Sequence, residues 1–153
     1  MKTLFTLIAI VLTVTLAGCD SGGPKSSKGF SLPEGDPALG KSAFIQLKCH
    51  SCHQIAGIEQ LKPDGKEPKI SVKLGGKVSK IKTYGELVTS VINPSHRLAE
   101  GYPDSEVGDG EVSKMTIYND VMTVTQLVNL VSFLQSNYEL IVYDPTRYRS
   151  YRL

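Results

Sequence analysis

The sequence predicts an all-α domain of three helices joined by long loops. Two observations carry that prediction. Three segments repeat apolar residues at helical spacing, and each opens on an N-terminal cap. No stretch alternates apolar and polar residues as a half-buried strand does. The length of 153 residues suits one ordinary domain. A hydrophobic share of 41% excludes a disordered chain. Lys and Arg total 17 against 15 Asp and Glu, so no global charge draws the chain to nucleic acid. Three Cys are too few, and odd in number, for a disulfide scaffold. Their positions therefore decide the functional reading.

Residues 1–18 read as an export signal. Lys2 is its only charge, and Leu4 to Leu16 is an apolar run broken only by threonines. The run is shorter than the roughly 20 residues of a spanning helix. It ends in Leu16-Ala17-Gly18-Cys19, which resembles the lipobox of bacterial lipoproteins. That resemblance implies cleavage before Cys19 and lipidation of its sulfur, which anchors the chain to a membrane. The alternative is ordinary signal cleavage with Cys19 a bystander. Residues 19–35, rich in Gly, Ser and Pro, read as a flexible tether spanning about 20 Å.

The folded domain is expected over residues 36–139. Asp36-Pro37 has the form of an N-cap followed by a first-turn proline. Gly40, Phe44 and Leu47 then share one face of a first helix. Cys49-His50-Ser51-Cys52-His53 follows, a C-x-x-C-H pattern that is the attachment signature of c-type haem. Two thiols at this spacing reach the two vinyl groups on one porphyrin edge, and the next residue sets an imidazole over the iron. Three other uses of the pair stay open: a thioredoxin-like redox couple, part of a zinc site, and a plain disulfide. His50 reads as a filler within the motif.

Through this motif and the helices around it, the stretch from Asp36 to Tyr138 resembles the small class I single-haem cytochromes c. The resemblance implies a cytochrome c fold, three or more helices around one covalently bound haem c. It implies that Cys49 and Cys52 carry the thioethers and that His53 is the proximal iron ligand. It implies that Gly40 and Phe44 meet the last helix. It also places the sixth ligand in a loop just before that helix, often as Ser-Lys-Met-Pro. Here Ser113-Lys114-Met115-Thr116 occupies the place, 62 residues after His53, so Met115 is the expected ligand. Thr116 departs from the usual proline. Met122 and His96 are the alternatives. A backbone carbonyl near Pro63 or Pro68 is expected to accept the second N–H of His53.

Between motif and middle helix lie Lys62, Lys66, Lys69, Lys73, Lys77, Lys80 and Lys82, opposed only by Asp64 and Glu67. This basic loop is either a docking surface for an acidic redox partner or a solvated loop. It lacks the aromatic interleaving of a nucleic-acid surface. Thr83-Tyr84-Gly85-Glu86 has the form of a capping box, with Leu87, Val88 and Val91 on one helical face and Asn93-Pro94 as the stop. Glu100, Asp104, Glu106, Asp109 and Glu111 form an acidic loop without a calcium-binding pattern. A second capping box, Thr123 to Gln126, opens the last helix, whose core face is Leu127, Leu130, Val131 and Leu134 with Phe133 beside it. Residues 140–153 are a Tyr- and Arg-containing extension.

These features point to a non-enzymatic electron carrier, lipid-anchored in the bacterial cell envelope and facing the periplasm or the outer side of the cytoplasmic membrane. The alternative is a haem subunit of a larger oxidoreductase, or a haem-based sensor. No nucleophile–base pair stands out in the sequence.

Overall fold

The structure, a computed structural model, describes residues 32–141. The signal, Cys19, most of the tether and nearly all of the C-terminal extension lie outside the described residues.

Helix α1 (Pro37–Gln46) begins as its sequence predicts. The Asp36 carboxylate accepts from the backbone N–H groups of Ala38 at 2.7 Å and Leu39 at 3.2 Å. It ends at Leu47, and Lys48 then takes a left-handed conformation at φ 54°. A non-glycine residue in this region is strained, and the turn redirects the chain into a short 3-10 segment, Cys49–Ser51.

Helices α2 (Tyr84–Ile92) and α4 (Val124–Ser136) both open on complete capping boxes. In the first, Thr83 N–H donates to Glu86 Oε2 at 2.8 Å and Glu86 N–H donates to Thr83 Oγ1 at 3.2 Å. In the second, Thr123 N–H donates to Gln126 Oε1 at 2.9 Å and Gln126 N–H donates to Thr123 Oγ1 at 3.1 Å. Between them stands α3, a single turn over Asp104–Val107.

The all-α expectation, and with it a cytochrome c fold made of helices alone, is overturned. Besides the four helices, the described residues contain three two-stranded sheets, so the architecture is mixed α/β. β1 (His53–Gln54) pairs in parallel with β2 (Val72–Lys73). β3 (Gly76–Val78) pairs in parallel with β6 (Tyr138–Leu140). β4 (Gly108–Asp109) and β5 (Val112–Ser113) form an antiparallel hairpin. Each strand is two or three residues long, too short to show an alternating pattern. They arise where connecting loops pair backbone groups that would otherwise lack partners.

The core lies where α1, α2 and α4 meet. Phe44, Leu87, Val91, Leu130, Val131, Phe133 and Leu134 are buried there with Ile55, which follows β1. Phe44 and Phe133 stack in a tilted pair with centroids 5.8 Å apart. Gly40 faces α4 directly: a Cβ there would overlap the carbonyl oxygen of Asn129 and stand 2.6 Å from Phe133 Cβ. The missing side chain is what lets the two backbones touch. Gly35, from the expected tether, also packs on α4, and Ser132 Oγ donates to its carbonyl at 3.0 Å. Asn129 is the buried polar residue of this crossing. Its Oδ1 accepts from Asp36 N–H at 2.8 Å, so it is satisfied.

Candidate functional site

Beside this core lies a cavity of about 420 Å³, lined mostly by apolar side chains. That volume suits a small-molecule cofactor. Two separate segments supply its chemically distinctive residues. Cys49, Cys52 and His53 come from the 3-10 turn and β1, and Met115 comes from the loop after β5. Phe44, Leu130 and Leu134 form part of the apolar floor.

Cys49 is half-buried against the core, and Cys52 is exposed. Both are free thiols, not a disulfide. Burial pushes the Cys49 thiol up to about 11, with a lesser contribution from Cys52 and an opposing hydrogen bond from its own backbone. A redox-active dithiol needs a depressed pKa, so the burial of Cys49 runs against the thioredoxin-like reading. Among the described residues, no three His, Cys, Asp or Glu side chains gather as a metal cage.

His53 lies on the cavity wall. Burial lowers its pKa, and the backbone of Val72 pulls the other way. The imidazole is thus held toward the neutral form that ligates metals. Its Nδ1 is buried and has no hydrogen-bond partner among the described residues. The expected acceptor near Pro63 or Pro68 is not paired with it. His50 does not line the cavity; its ring sits 6.4 Å from that of Phe44.

Comparison with known proteins assigns no family. No family model, no curated protein and no solved structure matches the chain.

The candidates for a second soft ligand separate by position. Met115 and Met122 both line the cavity, and His96 does not. His96 is exposed, with Nδ1 2.8 Å from the carbonyl of Asn93 at the end of α2. Met122 packs against the buried cluster, as expected of a core methionine. Met115 is half-buried and carries no such packing role.

Sequence reasoning missed the cationic rim. Lys48, Lys73, Lys82, Arg97 and Lys114 all line the cavity, with Glu100 as the only carboxylate on it among the described residues. Arg97 lies 3.7 Å from Glu86 and 3.9 Å from Glu100. The signal lay partly in the Lys run, but nothing local marks which of its members turn inward. The remaining lysines of that run are exposed, and Lys62 pairs with Glu67. The acidic loop around Asp109 turns through Gly110 (φ 60°) and brings together no metal cage among the described residues.

Proposed function

We propose that this chain is a membrane-anchored c-type cytochrome that passes single electrons between redox partners in the bacterial cell envelope. One observation carries the reading: two thiols, an imidazole and a thioether, drawn from segments far apart in sequence, border one apolar cavity. The donor set fits a covalently attached haem. Cys49 and Cys52 would hold it by thioether bonds, and His53 and Met115 would ligate its iron. The cationic rim fits a cofactor that carries carboxylates, and the apolar floor fits its flat hydrocarbon face.

Bound there, the haem would supply a one-electron ferric/ferrous couple. The protein's own part would be to offer His53 and Met115 to the iron, exclude water with Phe44, Leu130 and Leu134, and leave the Cys52 edge open to solvent. A neutral imidazole and a neutral thioether add no charge to the iron, and the thioether favours the reduced form. The exposed lysines between Lys62 and Lys82 suit an acidic partner surface, and the Leu16-Ala17-Gly18-Cys19 sequence suits a lipid anchor.

The test is expression with a c-type haem maturation system, followed by a denaturing gel stained for haem and a redox-titrated visible spectrum. Covalent haem in the parent chain and none in a Cys49→Ala, Cys52→Ala double variant is the expected result. A parent chain with no covalent haem sinks the proposal. Rapid carbon monoxide binding by the reduced protein would replace the carrier reading with the sensor one.

A further inference from the structure

The segment that carries Met115 has little backbone support of its own. Lys114 N–H donates to Val107 O at 2.9 Å, but among the described residues no backbone–backbone hydrogen bond holds Met115, Thr116 or Ile117. A thioether must be held at a fixed distance to act as a ligand, so its position has to be set by something else.

Side-chain hydrogen bonds tie the segment to three other parts of the chain. On the upstream side, Ser113 N–H donates to Ser95 Oγ at 3.0 Å, and Met115 N–H donates to Ser113 Oγ at 3.1 Å. On the downstream side, Asn119 Nδ2 donates to the carbonyl of Ile92, the last residue of α2, at 2.8 Å. Tyr118 makes the longest connection. Its hydroxyl donates to the carbonyl of Leu47 at 2.7 Å, across 71 residues. Leu47 ends α1 two positions before Cys49, so this bond joins the wall that carries His53 to the wall that carries Met115. Tyr118 itself lines the cavity. Its carbonyl accepts from Val121 N–H at 3.0 Å and Met122 N–H at 2.8 Å, which fixes the turn into α4.

We infer that Tyr118 is a positioning residue whose bond to Leu47 sets the separation of the two cavity walls and so holds Met115 at the iron. This rests on the reading of Met115 as the axial ligand. The phenol has a single rotating polar atom, and its partner belongs to the rigid end of a helix packed on the core. Losing the bond leaves the fold intact but frees the Met115 wall to move outward.

The experiment uses the ferric holoprotein and imidazole as the competing ligand. Tyr118→Phe keeps the ring and removes the bond. It is expected to bind imidazole about threefold to tenfold more tightly than the parent, the worth of one net hydrogen bond. Its Met–iron charge-transfer absorption should fade at a lower imidazole concentration. Ser132→Ala is the comparison, because it removes a similar side-chain bond, to Gly35, away from the cavity. It should lower the unfolding midpoint without changing imidazole affinity. If Ser132→Ala also tightens imidazole binding, the effect is general loosening and the inference falls. If Met115→Ala keeps the charge-transfer absorption, the ligand reading fails and takes the inference with it. If Met115→Ala loses that absorption while Tyr118→Phe binds imidazole like the parent, the inference alone fails.

Discussion

Where α1 crosses α4, the backbones touch through Gly40, and Phe44 locks against Phe133. Alongside that crossing the same two helices turn other atoms toward a cavity of about 420 Å³, whose remaining walls are α2 and the segments between the helices. Phe44, Leu130 and Leu134 belong to both regions. The crossing is closed by the chain's own packing, with regular helices and complete caps. The cavity is framed by a strained Lys48, a 3-10 turn, two-residue strands and side-chain ties. The contrast teaches where each task resides. Helix packing sets the fold, and irregular segments hung from it hold the chemical groups.

The hardest test of this division is a residue shared by both regions. Phe44 is 1% exposed, and Phe44→Ala should cost about 3–5 kcal/mol in urea unfolding. A loss below about 1 kcal/mol would mean the crossing does not carry the fold. Two helical glycines sharpen the contrast further. Gly40→Ala must force α1 and α4 apart and should destabilise by about 1–3 kcal/mol. Gly85, in the first turn of α2, has no atom within 4 Å of a would-be Cβ, so Gly85→Ala should stabilise by about 0.4–1 kcal/mol. Thermal melts that move in the same direction for both would remove the basis of the comparison.

Lys48 sits between the two regions. Its positive φ costs an L-residue roughly 1 kcal/mol, so Lys48→Gly should raise stability by up to that amount. Unchanged or lower stability would show that the turn is not strained. The smallest effect separates the two capping boxes by pH. The N–H and hydroxyl of Thr83, aided by Lys80 and Lys82, hold the Glu86 carboxyl below its ordinary range. A depressed folded pKa gives stability that is complete above the unfolded pKa and is lost as pH falls through the folded one. The box of α2 should therefore weaken in acid, below the ordinary carboxyl pKa of 4.5. The Gln126 box of α4 has no carboxyl to titrate. Stability measured from pH 7 down to pH 3 should show the parent's advantage over Glu86→Gln shrinking in acid. A constant gap would show that the carboxylate charge plays no part in the cap.

What depends on near neighbours can be read from the order of residues alone. Asp36, Thr83 and Thr123 cap helices because their oxygens reach N–H groups two or three residues on, a relation set by backbone geometry alone. The spacing of Cys49, Cys52 and His53 is of the same kind, and so is the helical period of Leu127, Leu130, Val131 and Leu134. The meeting of Gly40 with Phe133 was legible only through resemblance, since nothing in either segment points to the other.

Tertiary structure alone decided the rest. The parallel pairs β1–β2 and β3–β6 exist because loops are brought side by side, and two or three residues cannot announce a strand. Which lysines turn toward the cavity, and that His96 stays off its wall while Met115 reaches it, depend on how the loops drape over the helices. The bond from Tyr118 to Leu47 is the extreme case. Its partners are 71 residues apart, and one of them is a backbone carbonyl whose acceptor capacity every residue shares, so only the fold brings them together.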